Sequence, residues 1–182
     1  MERLTFGKDT RRKAPVTGKN REEAPMFSNV IILCHANVCR SPMAEALFKQ
    51  SFPAISVSSA GFDAEPGRLA APFSVAAIKE LGIDISGHKA TRISRELVGE
   101  ADLILTMSRE QVADLHRLFP HARGKVFRIG HFFDVDIDDP VNCGFEKFRV
   151  CRDLLKESII RWSKYIGEEV DHSSSVENRI GK

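Results

Sequence analysis

Val30-Ile31-Ile32-Leu33 is an unbroken apolar run, and a cysteine, Cys34, follows it directly. Eight residues beyond Cys34 stands Pro42, preceded by Ser41. A short continuous apolar run is the mark of a strand buried on both faces, as in a parallel sheet covered by helices. Ser41 is a good N-cap and Pro42 suits the first helical position, so a helix is expected from Pro42 to Phe52. A strand, a tight loop and a helix in so short a span leave little choice but an α/β unit.

The rest of the chain repeats that alternation. Ile55-Ser56-Val57-Ser58, Leu103-Ile104-Leu105 and Val126-Phe127-Arg128-Ile129 read as three further strands. Helices are expected over Pro72–Leu81, stopped by Gly82, over Ser108–Phe119, ended by Pro120, and over Gly144–Ile166. In the last of these Phe148, Cys151, Leu155, Trp162 and Ile166 recur at spacings that fit one buried face. The expected fold is a three-layer α/β domain: a four-stranded parallel sheet with helices on both faces, right-handed crossovers and a phosphate-binding loop after the first strand.

Charge and composition set the limits of this domain. The 182 residues carry 27 basic and 25 acidic side chains, a net +2. Seven of the basic and four of the acidic residues fall within residues 1–25, a local +3, so residues 26–182 carry −1. The early segment lacks apolar periodicity and the apolar core of a secretory signal, and reads as a basic, disordered leader over 1–27. Met26, directly before the first strand, is a candidate start of translation. The expected domain is 28–168, followed by a flexible polar tail over 169–182. A charge near zero gives no case for a nucleic-acid partner, and no apolar run reaches the roughly 20 residues of a membrane span. Four cysteines are too few for a disulfide scaffold, which points to a cytoplasmic protein. The expectation is a monomer.

The chemistry concentrates between Cys34 and Arg40, which five residues separate. Ligands of open α/β sheets bind at the carboxyl ends of the strands. A helix N-terminus there favours an anion, and it favours a thiolate over a thiol. A loop of this size can wrap its amides around one tetrahedral anion, with both end side chains turned inward. Cys34 is then a nucleophile for phosphorus and Arg40 a planar fork for two phosphoryl oxygens. The Ser41 hydroxyl can donate to the thiolate, and Asn37 can fix the loop because Asn tolerates left-handed backbone angles. His35, Ala36, Val38 and Cys39 complete the loop. Taken alone, a cysteine ending a buried strand is most simply a core residue, and Cys34 with Cys39 is a weak start for a zinc site. The accompanying Arg and Ser favour the phosphate reading, which needs neither metal nor cofactor.

A leaving alkoxide or phenoxide needs a proton, so a general acid is expected near the loop. Asp134, Asp136, Asp138 and Asp139 follow the fourth strand. Asp139, held extended by Pro140, is the first choice and Asp138 the second. Cys39 is either buried filler or a partner that protects an oxidised Cys34. Cys143 and Cys151 are expected to pack on or beside the last helix.

These residues resemble the low-molecular-weight protein-tyrosine phosphatases, whose signature is Cys, five residues, Arg-Ser-Pro, with an Asp-Pro far downstream. The resemblance includes Ser59-Ala60-Gly61, Gly82-Ile83 with His88, and Ala101 to Leu105, and it covers about residues 28–166. It implies a four-stranded parallel sheet, Cys34 as nucleophile, Arg40 as phosphate ligand and Asp139 as proton donor. It also implies that His88 supports the loop through Asn37 and Ser41. A phosphorylated protein substrate follows, and a tyrosine kinase is one such partner in bacterial relatives.

Three positions depart from the pattern. Ala36 stands where the family has Gly, and would be strained by any angle only Gly accepts. Val141-Asn142-Cys143 after the Asp-Pro make one wall of the pocket less aromatic. Val38 replaces the Thr of arginine-phosphatase relatives and matches the tyrosine-directed members. The competing functions are a thioredoxin-coupled arsenate reductase, which needs relay cysteines absent between Cys39 and Cys143, and a phosphoprotein-binding module, which would lack Cys, Arg or Asp.

Overall fold

The computed structural model describes residues 27–166. The expected leader, apart from residue 27, and the expected tail lie outside the described residues.

Four strands form one all-parallel sheet: β1 (Asn29–Cys34), β2 (Ser56–Gly61), β3 (Leu103–Thr106) and β4 (Val126–Arg128). Their order across the sheet is β2-β1-β3-β4. Alternation along β1 divides its side chains between two cores. Val30, Ile32 and Cys34 face a cluster with Met43, Phe48, Ile78, Leu155 and Trp162. Ile31 and Leu33 face the opposite cluster with Val98, Ile104 and Leu115. Both faces are therefore covered, and this is why the run in β1 is continuous rather than alternating.

The helices are α1 (Arg40–Ser51), α2 (Pro72–Lys79), α3 (Arg95–Glu100), α4 (Arg109–Leu118) and α5 (Phe145–Ile166). Buried residues place α1, α2 and α5 on the first face, α3 and α4 on the second. The five residues expected to line the buried face of α5 are all buried, and Trp162 Nε1 donates to the Ile129 carbonyl at 2.9 Å. Among the described residues no helix is long and apolar enough to cross a membrane.

Two boundaries and one additional helix correct the sequence reading. Helix α1 begins at Arg40, so Ser41 and Pro42 lie inside its first turn rather than at the cap and first position. The cap position is Cys39, with no side-chain cap; the Ser41 hydroxyl is taken instead by the loop it follows. Helix α2 ends at Lys79, two residues early, and Gly82 at φ +79° closes the turn after it. Helix α3, a six-residue element capped by Ser94, has no counterpart in the expected helices. It is too short to show a period.

The strand order reverses direction at β1, whose neighbours lead to β2 on one side and β3 on the other. That switch point opens a crevice at the carboxyl ends of the strands, and Cys34 ends β1 there.

Candidate active site

The loop runs from Cys34, at the end of β1, to Arg40, the first residue of α1. Its carbonyls are turned outward and spent on the surrounding chain. The carbonyls of Cys34, His35 and Val38 accept from the N–H groups of Phe62, Asp63 and Ala71, and that of Cys39 from the Ser74 hydroxyl. The N–H groups of Ala36, Val38 and Cys39 donate to no protein acceptor among the described residues. A loop with its acceptors used and its donors free is a nest for an anion.

Asn37 is the pivot. It is fully buried and sits at φ 55°, in the left-handed region that Asn tolerates. Its Nδ2 donates to Ser41 Oγ at 2.8 Å and to Ser59 Oγ at 2.9 Å, and its Oδ1 accepts from the Thr91 N–H at 2.8 Å. Its own N–H points at Cys34 Sγ at 3.2 Å, and its carbonyl meets His88 Nε2 at 2.9 Å. His88 thus meets the loop at the backbone of Asn37, one of the two residues the resemblance implies, and among the described residues it makes no hydrogen bond to Ser41 itself.

The hydroxyl protons follow from this arrangement. Ser59 donates to the Glu45 carboxylate at 2.5 Å, and so accepts from Asn37. Ser41 accepts from Asn37 and keeps its own proton for Cys34 Sγ, 2.9 Å away. When the sulfur is ionised only the hydroxyl can donate.

Arg40 is buried, with its guanidinium donating to the Ile137 carbonyl at 2.9 Å and paired with Asp139. Its buried Nε has no partner among the described residues, an orphan donor at the end of an anion nest. Of the two candidate acids, Asp139 is the one brought to the loop; Asp138 is exposed and makes no hydrogen bond or ion pair among the described residues. The chain from Ile137 to Pro140 crosses Arg40, with both Ile137 and Pro140 buried to hold it there.

The end of β2 presses on the same loop. A Cβ on Gly61 would stand 2.6 Å from the His35 carbonyl oxygen and 2.8 Å from the Asn37 nitrogen, so only glycine fits. Ala36, by contrast, is not among the residues with positive φ. The expected strain from its methyl group is absent.

Two of the other thiols are buried. Burial, reinforced by Asp139 and Cys34, pushes the Cys39 thiol up to about 11. Burial pushes Cys151 up to about 12. Cys143 is exposed in the turn before α5, which corrects its expected packing role. None of the four cysteines is paired. Among the described residues no group of three or more His, Cys, Asp or Glu converges as a metal site.

Above the loop lies a cavity of about 510 Å³ that includes His35, Arg40, Phe62 and Asp139, with one face of α4 as its far wall. Phe62 and His35 supply ring surface that Val141, Asn142 and Cys143 do not, so the cleft has an aromatic wall on the β2 side. Thr91 and Glu45 are neighbours of the site that the residue pattern did not single out, and Ser59 entered it with no role attached. Ser59 lies within β2, opposite Ile32 of β1, and reaches the loop through the side chain of Asn37. Thr91 acts through a backbone N–H, which leaves no trace in sequence.

A buried thiol, an anion nest, a buried guanidinium and a carboxylate at a sheet switch point are the parts of a cysteine-dependent phosphatase. The family model "Low molecular weight phosphotyrosine protein phosphatase" matches residues 29–172. A low molecular weight protein-tyrosine-phosphatase Ptp from Acinetobacter johnsonii is 37% identical over 140 residues, covering 77% of this chain and 99% of that protein. Among solved structures, Vibrio vulnificus Wzb in complex with benzylphosphonate superposes with a TM-score of 0.73 at 31% identity, covering 76% of this chain and 98% of that one. The YwlE arginine phosphatase from Geobacillus stearothermophilus gives a TM-score of 0.73 at 30% identity, covering 77% and 93%. The chain belongs to the low molecular weight phosphotyrosine protein phosphatase family.

Proposed function

We propose that the protein hydrolyses phosphotyrosine in phosphorylated proteins, with Cys34 as nucleophile, Arg40 as phosphate ligand and Asp139 as proton donor. The observation that carries these roles is the convergence of Cys34 Sγ, its two donors and the Arg40–Asp139 pair in one loop. The phosphoryl group enters the nest, and its oxygens take the free loop amides and the Arg40 guanidinium. The Cys34 thiolate attacks phosphorus; the S–P bond forms as the P–O bond to the ring breaks. Asp139, protonated, gives its proton to the departing phenolate oxygen. In the second step the Asp139 carboxylate takes a proton from water, which attacks the cysteinyl phosphate. Phosphate leaves, and the electron pair returns to sulfur, stabilised by the Ser41 hydroxyl and the Asn37 N–H.

His35, Ala36, Val38 and Cys39 shape the nest, while His88 and Asn37 hold it. Phe62 and the His35 ring offer surfaces for the tyrosine ring. Val38 stands where arginine-phosphatase relatives carry Thr and matches the tyrosine-directed members, which supports phosphotyrosine over phosphoarginine. Arsenate reduction by a thiol relay is not favoured: Cys143 is exposed and Cys151 is buried within an intact helix. A protein kinase carrying phosphotyrosine is a fitting substrate. The unpaired cysteines support a cytoplasmic setting. Phosphate release from a phosphotyrosine peptide and from a phosphoarginine peptide of the same sequence tests the reading. Faster release from phosphotyrosine is expected, and preference for phosphoarginine would overturn it.

A further inference from the structure

The cleft above the loop does not end at the tyrosine ring. It continues along α4, where Glu110, Asp114, Arg117 and Leu118 share one face at helical spacing and line the same cavity as Arg40 and Asp139. From Glu110 to Leu118 that face is about 12 Å long at 1.5 Å per residue, room for three or four extended residues. Small aryl phosphates do not fill such a groove; a peptide does.

Its charge is uneven. Asp114 is paired with Arg117 at 2.7 Å, and the two largely cancel. Arg40 and Asp139 are paired with each other. Glu110 has no ion-pair partner among the described residues and is exposed. A lone carboxylate is therefore left beside a cleft whose floor receives a dianion. We propose that the α4 groove binds the residues flanking the phosphotyrosine, and that Glu110 selects substrates with an Arg or Lys within about three residues of it, on one side. Such a segment sets its phosphate in the nest and its basic side chain against Glu110. An acidic residue there meets repulsion.

The inference rests on the phosphotyrosine reading, and the test separates the two. Phosphotyrosine peptides with a single Arg, Gln or Glu at each position from three before to three after the tyrosine are compared by kcat/KM at low ionic strength. Arg should exceed Gln by about two- to fivefold at positions on one side of the tyrosine, with Glu below Gln. The preference should shrink as salt is added. In Glu110→Gln the Arg-to-Gln ratio should fall to near one, and in Glu110→Lys it should invert. Because each ratio is internal to one variant, a general loss of activity does not affect it. An unchanged ratio in Glu110→Gln, or a preference for Glu, which would point to Arg117 as the reader, overturns the proposal. Failure of the phosphotyrosine reading itself would show differently, as no peptide in the series losing its phosphate to the native enzyme.

Discussion

The Ser41 hydroxyl oxygen stands 2.9 Å from Cys34 Sγ, and the amide of Asn37 holds that hydroxyl from behind at 2.8 Å. Its proton is thereby directed at the sulfur. In the proposed mechanism the contact matters most as phosphate leaves and the electron pair returns to sulfur. Ser41→Ala should slow turnover about 10- to 100-fold, the worth of one hydrogen bond to a charged group. Rapid-mixing kinetics should show the cysteinyl phosphate accumulating, because the thiolate has become a poorer leaving group. A slowed first step with no accumulation would count against this role.

Asp139 reaches Arg40 across 99 residues of sequence, and its removal should be felt according to the leaving group. Asp139→Asn should lower kcat/KM, which reports the leaving-group step alone, about 10²- to 10⁴-fold on a tyrosine phosphate. The loss should be smaller on para-nitrophenyl phosphate, whose phenolate departs without a proton. Equal losses on both substrates would remove Asp139 from the role of acid.

Gly61 lies where a methyl group would meet two backbone atoms of the loop, neither of which can turn aside. Gly61→Ala should cost about 1–3 kcal/mol in stability and most of the activity, through displacement of His35 and Asn37. Thermal unfolding and turnover measured together check this; near-native values of both would show that the strand end has room to shift.

The buried thiols give a pH dependence whose sign can be worked out. The Cys39 thiol is raised to about 11 and that of Cys151 to about 12, whereas an unfolded cysteine titrates at about 8.5. The folded protein prefers these groups neutral, so their contribution to stability is complete below about pH 8.5. It falls away as pH rises toward 11 and 12. The melting temperature should decline over that range, and less steeply in Cys39→Ser. At pH 7.5 iodoacetamide should label Cys143 well before Cys39 or Cys151. Comparable labelling of all three would contradict the burial argument.

Much of this was legible from particular residues. Val30 to Leu33 announced a strand covered on both sides because four apolar residues in succession must bury both faces, and they do. The buried face of α5 followed from helical spacing over six turns, long enough for a period to stand out. The start of α1 was misread for a chemical reason: Ser41 has the side chain of an N-cap, but its hydroxyl is worth more beside a buried sulfur. Ala36 raised a concern about backbone angle that only φ could resolve. Thr91 was invisible because its contribution is a backbone N–H, and every residue but proline has one. Phe62 carries no such signal for a different reason: it borders the cleft from the turn after β2, far in sequence from the Asp-Pro that aromatic residues follow in many family members.

The account stands or falls on the bond between Cys34 and phosphorus. Quenching a reaction of the protein with a phosphotyrosine peptide in acid, and mapping the phosphoryl group by mass spectrometry, tests it most directly. The account predicts the group on Cys34, at higher occupancy in Ser41→Ala, with no turnover in Cys34→Ser. Phosphoryl transfer to another residue, or turnover surviving in Cys34→Ser, would contradict it.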